Sequence, residues 1–394
     1  MYPFESVLLR WLRLSLYPKS ESVTLSSEEV NIIEEVFHLA MRQGVGGVIV
    51  PSIEQTLASP ESNFCHQLDS QGFNVVSGRI LDYIHHRMSQ RRHYLNQMAR
   101  VARYAEALHV KGITMYILKG IAYSTYYSEP TMRECGDCDC YLLSESLPLC
   151  SISYDILSIS DAYKVGLETI KELGGTYDEG TSKHSHMFLH GLVIENHRYL
   201  SDFQNSEVCQ RIEILLRQRL LERPGTRIRN SWMICPNAHF NALFFLRHAM
   251  EHFFFSGLSL RMLYDWAALI KAEQNHLQWQ VIFQELEDCH MRSFADLITA
   301  VCIRYLGTQP NEELSRYLSP VQPSRVERLM KETLRHDFSI PHDESFLHKC
   351  HRVLYRFVHQ YRYRDLAFNP YYKTILLQFI NCSYLQKNKK NSHC

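Results

Sequence analysis

The first hundred residues alternate apolar and polar positions with a helical period. Over residues 28–41, Val30, Ile33, Val36, Phe37, Leu39 and Ala40 fall on one side, and Ser26 or Ser27 precedes them as an N-cap. The run Gly44-Val45-Gly46-Gly47 stops that helix, and a long, polar-faced helix follows over residues 76–109. The period then shifts. Met115, Tyr116, Ile117 and Leu118 form a short apolar strand that ends in a Lys119-Gly120 turn, and residues 137–143 read as a second strand. A helix and loop carrying Tyr123, Tyr126 and Tyr127 fill the gap between them. Residues 160–173 read as a helix ended by Gly174-Gly175, and residues 185–189 and 192–197 as an antiparallel pair about Gly191. Residues 237–272 are strongly helical with a break near Ser256-Gly257, and further helices are expected over 279–334.

This order predicts an α+β protein in which a small mixed β-sheet sits between helical N-terminal and C-terminal regions. The boundaries read as a helical region over 1–97, an α/β core over 98–230, a helical domain over 231–340 and a basic, aromatic tail over 341–394. In the tail, aromatics from Tyr355 to Tyr372 interleave with Arg352, Arg356, Arg362 and Arg364. That pattern reads as a packed helix with a basic outer face, with stacking on RNA as the other reading. The polar end over 387–392 reads as frayed.

The chain of 394 residues is 45% hydrophobic, enough to bury a sizeable core, and has a formal net charge of zero. A charge balance of this kind does not favour a long nucleic-acid partner. No apolar run is long enough for a membrane span, and no signal peptide precedes the twelve cysteines. Reduced thiols in a cytoplasmic protein are therefore expected.

The chemistry concentrates at Gly136-Asp137-Cys138-Asp139. Aspartates two apart on a strand point the same way. Their like charges repel unless a cation sits between them, and a hard divalent ion that takes such oxygens also takes phosphate oxygens. The residues thus point to metal-assisted transfer of a phosphorus group.

The Lys119-Gly120 turn followed by Gly136-Asp137-x-Asp139 resembles the DNA polymerase beta-like nucleotidyltransferase superfamily. More closely, it resembles the group called uncharacterised nucleotidyltransferases, in which lysine-glycine replaces the glycine-serine of other members. Matching pieces occur in order: residues 39–45, residues 113–120, Arg133 to Leu143 with its arginine-x-x-glycine-aspartate-x-aspartate run, Glu195-Asn196-His197, Leu246-Arg247-His248, and residues 261–265. The likeness covers roughly residues 30–275. Cys138, Cys140 and Tyr141 depart from the aliphatic residues expected around the second aspartate, but cysteine still suits a buried strand.

The resemblance implies transfer of a nucleoside monophosphate from a nucleoside triphosphate, ATP by preference, with release of pyrophosphate and two Mg²⁺ or Mn²⁺ ions. It assigns Asp137, Asp139 and Glu195 as catalytic metal ligands. Lys119, Gly120, Arg133, Gly136 and His197 would contact the nucleotide. His184, His186, Arg261 and Asp265 form a second tier. The acceptor is open, with a small molecule or a protein favoured by the neutral charge.

Plainer readings stand beside these. Arg133 equally suits a structural ion pair, and Arg261 and Asp265, four apart, suit a salt bridge within one helix. A non-catalytic module that binds nucleotide or a partner on the same fold is the alternative function. His248-Ala249-Met250-Glu251-His252 matches the histidine-x-x-glutamate-histidine pattern of inverted zinc peptidases. Such a match arises readily among 21 histidines, and the surrounding phenylalanines read as core. The cysteines at 135, 138 and 140 find no second pair to close a zinc site.

Overall fold

The computed structural model describes residues 1–18, 25–58, 70–144, 161–178, 183–201, 207–223, 225–336 and 357–366. Among these residues the first helices are α1 (Pro3–Leu16), α2 (Ser27–Asn31), α3 (Ile33–Arg42), α4 (Gly46–Ala58) and α5 (Ser70–Val110). Ser26 is the cap at the start of α2. Its hydroxyl accepts from the Glu29 amide at 3.2 Å, and the Glu29 carboxylate accepts from the Ser26 amide at 3.0 Å. The helix expected over 28–41 is two pieces, because Ile32 leaves helical geometry at φ −106°, ψ 13°. Both pieces still present the expected apolar side, with Val30, Ile33, Val36, Phe37, Leu39 and Ala40 all buried.

Among the described residues seven strands make one mixed sheet: β1 (Ile113–Ile117), β2 (Cys138–Ser144), β3 (Thr176–Asp178), β4 (His184–Leu189), β5 (Leu192–His197), β6 (Thr226–Arg227) and β7 (Met233–Cys235). Their order is β3-β4-β5-β2-β1-β7-β6. β2 lies antiparallel to β1 and parallel to β5, while β4 and β5 form the expected hairpin. Among the described residues, helices that connect the strands are α6 (Ile121–Ser124) between β1 and β2, α7 (Asp161–Glu172) before β3, and α8 (Glu207–Glu222) after β5.

Alternation along the strands divides the sheet into a dry face and a polar face. Met115, Ile117, Cys138, Cys140, Leu142, Met187 and Ile194 pack with Met98, Val101, Tyr104 and Leu108 of α5 and Ile170 of α7. On that face Tyr104 donates to the Gly166 carbonyl at 3.1 Å, tying α5 to α7. The opposite face carries Asp139 and Tyr141 of β2, Glu195 and His197 of β5, and His184 and His186 of β4.

Among the described residues the sheet is followed by α9 (Ala238–Phe255), α10 (Leu260–Glu273), α11 (Trp279–Asp288), α12 (Arg292–Leu306), α13 (Glu312–Tyr317) and α14 (Pro323–Arg335). The break expected near Ser256-Gly257 separates α9 from α10, with Gly257 at φ +87° and the Ser259 hydroxyl capping α10 through the Met262 amide. Trp11 and Leu12 of α1 belong to the same buried cluster as Phe253, Trp266, Phe294 and Met330 of these helices. Gln43, just past α3, bonds the carbonyls of Thr333 and His336 and receives the Leu260 amide. N-terminal and C-terminal helical regions thus share one apolar core. The fold is α+β, a mixed sheet flanked by helices.

Most of the tail over 341–394 lies outside the described residues, including Arg352, Tyr355, Arg356, Tyr372 and the polar run at 387–392. Within 357–366, Tyr363 is buried, and Arg362 Nη1 pairs with Glu332 Oε1 of α14 at 2.6 Å. No described helix is long and apolar enough to cross a membrane.

Candidate active site

The site begins where β1 ends. The Leu118 amide donates to the Asp139 carbonyl at 3.0 Å, which holds the outgoing turn against β2. Gly120 follows at φ +54°, ψ −104°, a conformation that a side chain opposes. A Cβ there would also stand 3.4 Å from the Asp137 carbonyl. Glycine therefore lets the turn fold back over the Gly136-Asp137 segment and brings Lys119 Nζ to 2.8 Å from Asp139 Oδ1.

Asp137 immediately precedes β2, which starts at Cys138 rather than at Asp137. Asp139 is buried and stands in register with Glu195 across the parallel β2–β5 pair. His197, two residues on from Glu195, places Nε2 3.0 Å from Asp139 Oδ1 and 3.8 Å from Glu195 Oε2. Lys119 and His197 thus share one oxygen of Asp139. The other, Oδ2, is buried and has no hydrogen-bond partner among the described residues. A buried carboxylate oxygen left without a donor carries a desolvation cost that a cation would remove.

The protonation pattern agrees. Burial alone would raise the Asp139 pKa, but Lys119 and then His197 outweigh it and hold the carboxyl well below its ordinary range. Asp137 is pushed up, first by burial and then by the Asp139 charge. Burial would lower the Lys119 pKa, yet Asp139 and Asp137 together raise it. His197 is raised in the same way, the hydrogen bonds to Asp139 and Glu195 overcoming its burial. The site is a knot of acids that holds its cations tightly.

Two groups of side chains among the described residues bring metal-ligating atoms within 4.8 Å of one another. One is Asp139, Glu195 and His197; the other is His184, His186 and Glu195. Asp137 is in neither group, although its charge is felt by Lys119. Cross-strand register explains the second group, since His184 faces His197 and His186 faces Glu195. Burial lowers the His184 pKa to about 4, which leaves a neutral ring capable of ligation. Cys138 and Cys140 lie on the dry face, away from these groups, as alternation requires.

Helix α9 also contributes to the electrostatics of the site. Lys183, just before β4, reaches Glu251 Oε2 at 3.0 Å, and Arg247 Nη1 lies 3.6 Å from the same oxygen. His248 is held well below its ordinary pKa, by burial first and by Lys119 next. His252 is lowered to about 4 by the same two causes. Residues 248–252 are in neither three-ligand group found among the described residues; Glu251 lies against two cations, and His252 Nδ1 bonds Ser256 Oγ at 2.7 Å.

Arg133 has a partner that the sequence offered only as a plain alternative. Its Nε and Nη2 both donate to the Asp265 carboxylate at 2.8 Å, and Tyr127 donates to the same carboxylate at 2.7 Å. Asp265 thus pairs across the interface between the sheet and α10, not with Arg261 of its own helix. Arg261 instead donates to the Glu134 carbonyl at 3.3 Å. Both arginines brace the segment that leads into Gly136 and Asp137. Gly136 is exposed, and a Cβ there would meet nothing within 4 Å.

Lys183 is not among the residues that the sequence pointed to, and Tyr127, Arg247 and Glu251 were named there without these partners. The Lys183–Glu251 and Tyr127–Asp265 contacts carry no local signal, because tertiary packing makes them.

No curated protein and no solved structure matches the chain. A family model described as uncharacterised nucleotidyltransferase matches residues 33–307. That span takes in α3 to α5, the whole sheet and the helices through α12, and the chain belongs to this family of nucleotidyltransferases.

Proposed function

We propose that the protein moves a nucleoside monophosphate from a nucleoside triphosphate, ATP by preference, to an acceptor and releases pyrophosphate. The observation that carries this reading is Asp139 facing Glu195 on adjacent strands, with a buried, partnerless Asp139 oxygen beside Lys119. Asp137, Asp139 and Glu195 would hold Mg²⁺ or Mn²⁺. Paired divalent ions supply Lewis-acid stabilisation of the attacking and leaving oxygens of an in-line phosphoryl displacement.

The protein's own groups have distinct tasks. Lys119, paired with Asp139 as the structure stands, is placed to donate hydrogen bonds from its ammonium to triphosphate oxygens. The bare main chain at Gly120 allows close approach of a phosphate. Glu195 accepts the proton of the acceptor hydroxyl on a carboxylate oxygen. His197 holds Asp139 in orientation through Nε2. Arg133, bound to Asp265, acts as a positioning residue that fixes the backbone entering Asp137. The zero net charge favours a small-molecule or protein acceptor over long nucleic acid.

The test uses full-length protein, Mg²⁺ and a triphosphate labelled at the α-phosphorus, offered to a panel of small molecules and proteins. Label transfer with matching pyrophosphate release is expected, and Asp137→Asn should abolish both. Metal-dependent nucleotide binding without transfer to any acceptor would instead establish a binding module.

A further inference from the structure

The face of β4 and β5 next to the acids holds a second arrangement with different ligand chemistry. His184 Nε2 lies 3.6 Å from Glu195 Oε1, and His186 Nε2 lies 3.5 Å from the same oxygen. All three ligand atoms fall within 4.8 Å of one another. A tetrahedral ion bonded at about 2.0–2.1 Å sets its ligands about 3.3–3.4 Å apart. The observed spacings are close to that edge before any ion draws the groups in.

Behind His186 the pattern continues. Its Nδ1 lies 3.2 Å from Asp178 Oδ1 on β3, the strand beyond β4. A carboxylate bound to the far nitrogen of an imidazole fixes the ring, assigns its proton to Nδ1 and leaves Nε2 as the electron-pair donor. Asp178 thus presents His186 Nε2 toward Glu195 in ligand form. Register supplies the geometry: Asp178 faces His186 across β3–β4, and His186 faces Glu195 across β4–β5. Three adjacent strands thereby form the sequence carboxylate, imidazole, carboxylate.

Two imidazoles and a carboxylate are the donors of a borderline transition ion, not of Mg²⁺, which takes oxygen ligands. We propose that His184, His186 and Glu195 form a three-ligand site for a borderline divalent transition ion such as Zn²⁺, oriented by Asp178 and open at its fourth position. Glu195 is the hinge between the two chemistries. Its Oε1 faces the imidazole pair, while its Oε2 faces His197, which is bonded to Asp139. The carboxylate can therefore bridge an imidazole-bound ion and an ion held at Asp139. The site stands on its own ligands and does not require the nucleotidyl-transfer reading.

The test is titration of chelator-stripped, full-length protein with Co²⁺, followed by visible absorption. A stoichiometric ion with the intense d–d bands of four-coordinate cobalt is expected, displaced by Zn²⁺ and not by excess Mg²⁺. His186→Ala should remove the bands. Asp178→Asn, at an exposed position that the sheet tolerates, should keep the bands and weaken affinity about 10–100-fold. Asp139→Asn should keep cobalt binding even where nucleotide binding is lost, which separates this proposal from the enzymatic one. Bands that persist in His186→Ala, unchanged affinity in Asp178→Asn, a thiolate-to-cobalt charge-transfer band, or displacement by Mg²⁺ would each overturn it.

Discussion

Asp139 and Glu195, far apart in the chain, stand directly opposite each other on the parallel strands β2 and β5. Parallel pairing puts both carboxylates on the same face, and the Asp139 side chain is engaged from one side by Lys119 and His197. Removing the Asp139 charge would leave the half-buried Lys119 ammonium and the buried His197 ring without the carboxylate they share. Such a loss costs roughly 3–5 kcal/mol. Asp139→Asn should therefore lower the denaturation midpoint as well as eliminate transfer. Asp137→Asn, at a less buried carboxylate whose pKa is already raised, should lose transfer at little cost in stability. Denaturant titration of both variants beside wild type checks the contrast.

Arg133 and Asp265 join the sheet to α10 by a two-pronged ion pair in a buried setting. Asp265→Asn should destabilise the protein by about 3–5 kcal/mol, since it leaves the guanidinium buried and uncompensated. Arg133→Lys should also be costly, because an ammonium cannot reproduce the fork. Replacing both residues with apolar side chains of similar volume should recover much of the loss. A double-mutant cycle in denaturant measures the coupling.

The Lys183–Glu251 pair gives a stability effect with a defined pH window. Burial tends to raise the Glu251 pKa, but Lys183 and Arg247 overcome it and hold it at about 2. A carboxyl lowered on folding contributes stability above its unfolded pKa of about 4.3 and loses it as pH falls toward the folded value. The contribution is on the order of 3 kcal/mol at neutral pH. Glu251→Gln should thus be much less stable than wild type at neutral pH, and the gap should close on acidification below about pH 4. Thermal melts over that range provide the measurement.

Gly120 tests the turn. At φ +54°, ψ −104°, any side chain is strained by about 1–3 kcal/mol. Gly120→Ala should relax the turn, move Lys119 off Asp139 Oδ1 and reduce transfer more than nucleotide-independent stability. The loss should appear in both kcat and KM, and the fold should survive, because the added Cβ meets its nearest atom at 3.4 Å.

What could be read from the chain divides along physical lines. Helical and two-residue periods placed the α+β order, the β4–β5 hairpin and the break before α10, because those patterns follow directly from which side of each element is dry. The same alternation put Asp139 and Glu195 on the polar side and Cys138 on the dry one. The ion pair of Arg133 with Asp265 could not be derived, since it depends on where α10 docks against the sheet. The Arg261–Asp265 spacing even favoured a different pair. Asp178 was equally hidden, because only three-strand register brings it behind His186.

The most direct test of the central claim is equilibrium binding of a non-hydrolysable nucleoside triphosphate to full-length protein, with and without Mg²⁺, for wild type, Asp139→Asn and Glu195→Gln. The account predicts binding that requires the divalent ion in wild type and falls sharply in both variants. Equal affinity in the three proteins, or binding indifferent to the ion, would contradict it.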